Sequence, residues 1–168
     1  MNFKNKKAKF ILVFILITFV YLIFFSSFFK NEETKIFYVL DQVIKEASYE
    51  KELHPFEKLA KANNILPFLA DNISFQVDHK YNKNQVILGK EDFKKHLLGS
   101  YSYFVSLNFS YRKKKIKISK NFARLNISAT ANGLEKDLAT RFYRQENILI
   151  QLNKNNGDWL ISSIESLE

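Results

Sequence analysis

The chain has 168 residues, with 26 Lys or Arg against 17 Asp or Glu, a formal charge of +9 at pH 7, three His and no Cys. Without cysteine there is no disulfide and no lipoprotein thiol, and a zinc site would need all its ligands from scattered His and acids. Five of the 26 bases and no acid lie at or before Lys30, leaving 21 bases against 17 acids, about +4, in the remainder; that is no nucleic-acid footprint.

The segment Phe10 to Phe29 (FILVFILITFVYLIFFSSFF) runs 20 residues without a charge. At about 1.5 Å rise per residue such a helix crosses a hydrocarbon core of about 30 Å. Core helices of small domains keep one polar side, whereas this segment is apolar all round. Lys4, Lys6, Lys7 and Lys9 precede it, and Lys30 follows just before Glu32 and Glu33, so the positive-inside rule places the N-terminus in the cytoplasm. A cleaved secretory signal is the alternative, but its apolar region is about 7 to 15 residues long and ends at small residues, which Phe25, Ser26, Ser27 and Phe28 do not supply. The predicted division is a basic cytoplasmic tail over 1–9, a transmembrane helix over 10–29 and an extracytoplasmic, periplasm-facing domain over 31–168 on the inner (plasma) membrane.

From Glu33 to Ala47 the apolar residues Ile36, Val39, Leu40, Val43, Ile44 and Ala47 recur at the helical period. A second helix is predicted from Pro55, burying Phe56, Leu59 and Ala60, because proline suits a first turn. The period then changes. Ile73, Phe75 and Val77 alternate with Ser74, Gln76 and Asp78 as a half-buried strand, and the apolar run Val86 to Leu88 follows. Gly89 to Gly99 (GKEDFKKHLLG) reads as a short helix with Phe93 and Leu97 on one face and Gly99 as its stop. Beyond it lies antiparallel sheet: one strand with Val105, Leu107, Phe109 and Tyr111 on its dry face, one with Ala123, Leu125, Ile127, Ala129 and Ala131, and a long one over Leu138 to Leu152. Asn156-Gly157 is a strong two-residue hairpin signal leading into Trp159 to Ile164.

This order, with FLADNISFQVD (Phe68 to Asp78), VILGKEDFKKHL (Val86 to Leu97) and LNKNNGDWLISSI (Leu152 to Ile164), resembles the nuclear transport factor 2-like superfamily, including its SnoaL-like domains, over about Ile36 to Glu165. The resemblance implies an α+β domain, cone-shaped, with helices packed in a curved antiparallel sheet that leaves a pocket or a flat partner surface. In layout alone, the chain is also similar to the inner-membrane scaffold subunits of type IV secretion systems.

Catalytic members of the superfamily place an Asp or His base and Tyr donors inside the cone, where desolvation raises a carboxyl pKa. The matching candidates are Asp78 and His79, with Tyr101, Tyr103, Tyr111 and Tyr143 as donors. Neighbours on a strand point to opposite faces, and parity with Ile73, Phe75 and Val77 turns His79 inward and Asp78 to solvent. A strand end carrying a polar pair where pairing stops is the competing reading. His54 and His96 have no partners at metal-ligand spacing, and no glycine-rich phosphate loop, Ser-His-Asp order or helical His pair occurs, so neither metal nor cofactor is predicted.

Arg112, Lys113, Lys114, Lys115 and Lys117 form the densest basic run, assigned to a hairpin tip. It is a candidate surface for anionic lipid or an acidic partner, or else a solvated turn that discourages edge pairing. Trp159 is a candidate partner contact, or else a core residue beside the hairpin. The leading functional reading is a non-catalytic, membrane-tethered binding or assembly domain of the cell envelope, with the membrane, envelope proteins or a second copy as partners and no nucleic acid. Its rival is a SnoaL-like small-molecule binder or isomerase/cyclase-type enzyme that uses the cone interior.

Overall fold

The computed structural model describes residues 31–79, 82–137 and 140–167, with the backbone alone at 77–79 and 82–85. The chain divides into two compact units, Met1–Lys35 and Ile36–Glu168. The predicted membrane segment over 10–29 lies outside the described residues, and among those residues no helix is long and apolar enough to cross a membrane. The second unit is an α+β cone: a curved sheet of six strands wrapped around three helices.

Helix α1 covers residues 31–47, and its face of Ile36, Val39 and Leu40 is buried as the helical period predicts. Its C-terminal carbonyls are capped from outside: the Lys61 ammonium donates to the carbonyls of Lys45, Glu46 and Ser48 at 3.4, 3.4 and 3.2 Å, a favourable place for a cation. Helix α2, Pro55–Ile65, starts with proline at N1 but buries Ala62 and Ile65 rather than the predicted face. Phe56 is 86% exposed, Leu59 is 41% exposed and Ala60 is also exposed. The face is set by its last turn, where the fully buried Ile65 leads through a 3-10 turn (Leu66–Phe68) into the first strand.

Helix α3, Lys90–Tyr103, runs through Gly99 instead of stopping there. A glycine inside a helix costs about 1 kcal/mol. Burying the whole ring of Tyr101, at 1% exposure, returns about 1.5–3 kcal/mol, so the helix continues to seat that side chain.

The strands are β1 (Leu69–His79), β2 (Asn82–Gly89), β3 (Phe104–Ile118), β4 (Phe122–Glu135), β5 (Arg141–Asn155) and β6 (Asp158–Leu167). Their order in the sheet is β2-β1-β6-β5-β4-β3. Every pairing is antiparallel except β1 with β6. That parallel contact, with Phe75 beside Ile164, joins the first hairpin to the β3–β6 meander. Asn156 and Gly157 adopt φ of 51° and 97°, the left-handed pair that a tight hairpin turn requires.

Inward residues of β4, β5 and β6 (Ala123, Leu125, Ile127, Ile150, Leu152, Trp159, Ile161) meet Ile36, Val39, Leu40, Ile65, Leu69 and Ile73 in one core. A smaller cluster of Tyr49, Leu53, Ala62, Tyr101 and Leu107 closes the other end. Trp159, at 2% exposure, is therefore a core residue and not a surface contact; it shares the core with Leu152 and Ile161 beside the hairpin.

The basic run is strand, not hairpin tip. It lies inside β3, and the tip falls at 119–121, where the Ser119 amide donates to the Phe122 carbonyl at 2.8 Å. The reason is a bulge between Lys113 and Lys115. One inserted residue reverses the alternation. Before it Leu107, Phe109 and Tyr111 face inward; after it Ile116 and Ile118 do, and Lys115 and Lys117 turn outward.

At Gly133 an added Cβ would lie 2.4 Å from the Ser106 carbonyl oxygen across the β3–β4 pair. Gly133→Ala is predicted to destabilise the domain by about 1–3 kcal/mol, as overpacking does, read as a lower urea midpoint at unchanged slope.

Candidate functional site

Of the four tyrosines proposed as donors, Tyr111 and Tyr143 line one open recess of about 410 Å3 with Ser110, Arg112, Ser128, Thr130 and Gln145, while Tyr101 and Tyr103 lie elsewhere. Tyr101 is buried, its hydroxyl donating to the Glu46 carbonyl at 2.9 Å, and its ring meets Tyr49 edge-on at 5.5 Å between centroids. The Tyr49 hydroxyl donates to the Phe104 carbonyl at 3.2 Å. Tyr103 and Tyr143 are 48% and 66% exposed, their hydroxyls on Glu135 and Gln145. Burial pushes the Tyr49 hydroxyl up to about 12, and burial, followed by the Glu46 carboxylate, also raises Tyr101. Asp78 and His79 pair through the backbone with Lys83 and Asn82 at the end of β1; their side chains lie outside the described residues.

The inward face of the sheet carries a polar group of which the sequence reading named Tyr111 alone, missing Asp41, Arg144 and Glu146. Tyr111 donates to Asp41 of α1 at 2.7 Å and stacks on Phe37 at 6.3 Å. Burial, then the Asp41 carboxylate, raises its hydroxyl. Lys113 lies 4.7 Å from the Phe37 ring centroid. In register across the sheet, Phe109 faces Ala131 and then Arg144, and Tyr111 faces Ala129 and then Glu146. Arg144 and Glu146 form an ion pair, and Ser166 donates to Glu146 at 3.1 Å. Small Ala129 and Ala131 leave a cleft of about 110 Å3, lined also by Phe109, Thr130, Arg144, Glu146 and Ile148. A signal did exist: Arg144 and Glu146 share the parity of Ile148, Ile150 and Leu152, so two charges stand where alternation demands apolar residues.

The outward face is basic. Arg112, Lys114, Lys115, Lys117 and Arg124 are all exposed. Lys115 pairs with Asn126 and Lys117 with Arg124, opposite in phase to Ile116 and Leu125. The Lys114 ammonium donates to Asn147 at 2.6 Å, which holds it on this face. A shallow recess of about 260 Å3 lies among Lys115, Lys117, Arg124, Asn126 and Leu149. Among the described residues no group of three or more His, Asp or Glu could hold a metal ion.

Neither a protein-family model nor a curated protein sequence matches the chain. Solved structures match its shape. The Kfla4162 protein of Kribbella flavida superimposes at TM-score 0.68 over 82% of this chain and 90% of its own, with 11% identity. A hexachlorocyclohexane dehydrochlorinase, LinA type 2, gives TM-score 0.61 over 82% and 84% at 6% identity. The association domain of CaMKII from C. elegans gives 0.57 over 83% and 97% at 11% identity. These likenesses define the fold, which is nuclear transport factor 2-like and SnoaL-like.

Tyr49 and Tyr101, with Tyr111, contribute to the alkaline limit of the domain's stability. Their folded-state pKa values lie above the ordinary 10.0, so the folded chain keeps protons that the unfolded chain releases. The contribution of these tyrosines to stability is predicted to be level below about pH 10 and to fall as pH rises from there through about 12. Tyr49→Phe should flatten part of that slope in urea midpoints measured against pH. Tyr101→Phe should cost only about 1 kcal/mol, because Lys61 also donates to the Glu46 carbonyl at 3.4 Å.

Proposed function

We propose that this chain is a non-catalytic, membrane-tethered binding domain of the cell envelope. In this reading residues 1–9 are a cytoplasmic tail, 10–29 the span, and 31–168 an extracytoplasmic domain on the inner membrane. The observation that carries the non-catalytic part is the use of the tyrosine hydroxyls. A general acid must reach the reacting atom, yet Tyr101 and Tyr49 are buried against backbone carbonyls and Tyr111 is engaged by Asp41. The tether rests on the uncharged 20-residue run from Phe10 to Phe29 with lysines before it. The fold is compatible, since the CaMKII association domain has it too.

The cleft at Arg144 and Glu146 favours a second reading, a small-molecule site, and a dehydrochlorinase shares the fold. Fold alone does not choose between them. Volume weighs against that cleft, since about 110 Å3 is below the about 300–1,000 Å3 usual for ligand pockets; the open recess beside Tyr111, Arg112 and Tyr143, about 410 Å3, lies within that range and belongs to the same second reading.

Two experiments test these readings. Under the first, the full chain stays with membranes through an alkaline carbonate wash and a version lacking residues 10–29 does not; full release of the intact chain would defeat the tether. For the second, wild type and Glu146→Gln are screened for ligands by thermal shift. A ligand that stabilises wild type by about 2.7 kcal/mol at a hundredfold excess over Kd, and not the variant, would transfer the function to the cleft. The binding-domain reading predicts none.

A further inference from the structure

From Phe93 to Leu134 the chain has nine bases and no acid, whereas the rest of 31–168 has 12 bases and 17 acids. The fold concentrates this asymmetry. The bulge in β3 places Lys114, Lys115 and Lys117 with Arg112 and Arg124 on the outward face of the β3–β4 hairpin, and exposed Lys120 marks its tip. We infer that this face docks on the anionic headgroups of the bilayer that the chain itself enters.

The chemistry of the face selects that occupant. A protein partner is recognised through an apolar centre, and here Leu149 is the single large apolar side chain lining the recess. Single-stranded nucleic acid needs a run of aromatic platforms, whereas among the lysines Phe122 is covered by the Arg124 guanidinium at 5.2 Å and the exposed Tyr143 lies beside Arg112 alone of these bases. Lysine ammoniums on flexible stems are point charges without the fixed fork of arginine, which suits a laterally mobile field of phosphates. Each such base near an anionic surface is worth about a fivefold gain in partitioning. The inference rests on the tethered reading for its geometry in the cell: helix α1 begins at residue 31, two residues after Phe29.

The test uses the full chain in nanodiscs of phosphatidylcholine and of an equal mixture with phosphatidylglycerol. Lysine acetylation read by mass spectrometry should slow at least about fivefold at Lys114, Lys115, Lys117 and Lys120 in the anionic discs alone. The effect should vanish at about 1 M salt, where the Debye length is about 3 Å. Equal reactivity in both discs overturns the proposal, and so does protection in native membranes that protein-free lipid cannot reproduce, which would assign the face to an acidic protein. Changing Lys114, Lys115, Lys117 and Arg124 together to Gln should abolish any difference in β3 amide exchange between the discs. The tether is read separately: a chain that leaves neutral bilayers but is held by anionic ones through these lysines loses its span and keeps its docking face.

Discussion

A strand can offer only one dry face, and in the second half of β3 that constraint is met by one inserted residue. Had β3 continued in phase past Lys113, Lys115 and Lys117 would point into the core and Ile116 and Ile118 into water. Burying an unpaired ammonium costs several kcal/mol, and each exposed isoleucine forfeits about 1.5–3 kcal/mol of burial. The bulge at Lys113/Lys115 disrupts the ladder locally and avoids both. The same residue that completes the core therefore creates the basic face, so packing and surface chemistry share one origin.

Closure of the cone depends on contacts far apart in sequence. Tyr49 exchanges backbone hydrogen bonds with Leu107 at 2.7 and 2.9 Å, and the Ser48 hydroxyl accepts from the Phe109 amide. These bonds cover the first half of the β3 edge. The second half, from Tyr111 onward, carries the lysines, which is how a sheet edge resists pairing with another sheet. One edge is thus protected by the chain's own loop in one half and by charge in the other.

Element types were legible because periodicity reports the dry face directly: Ile36, Val39 and Leu40 at helical spacing, Leu125 and Ile127 at strand spacing, and the Asn156-Gly157 turn. Interruptions were not. Gly99 looked like a stop because propensity ignores the burial of Tyr101 two residues on. The run from Arg112 to Lys117 looked like a loop because a bulge has no compositional mark, and Phe56 and Leu59 looked buried because which face of α2 docks is decided by Ile65. The parallel β1–β6 contact sets Phe75 beside Ile164, on strands far apart in sequence and beyond the reach of local pattern. Of the candidate site, the lysines were legible as a run and misplaced in structure. Arg144 and Glu146 were visible as a break in alternation, and Tyr111 gained its partner Asp41 only through folding.

The proposed attachment role rests on Tyr49 and Tyr101 being held by backbone carbonyls and on the basic outward face of β3 and β4. That account stands on the domain lying across the membrane from the N-terminal tail. Because the chain has no cysteine, one introduced at the exposed Asn153 reports sidedness without background. In intact spheroplasts, Asn153→Cys should react with a membrane-impermeant maleimide to the same extent as after lysis; reaction only after lysis would put the domain in the cytoplasm and contradict the account.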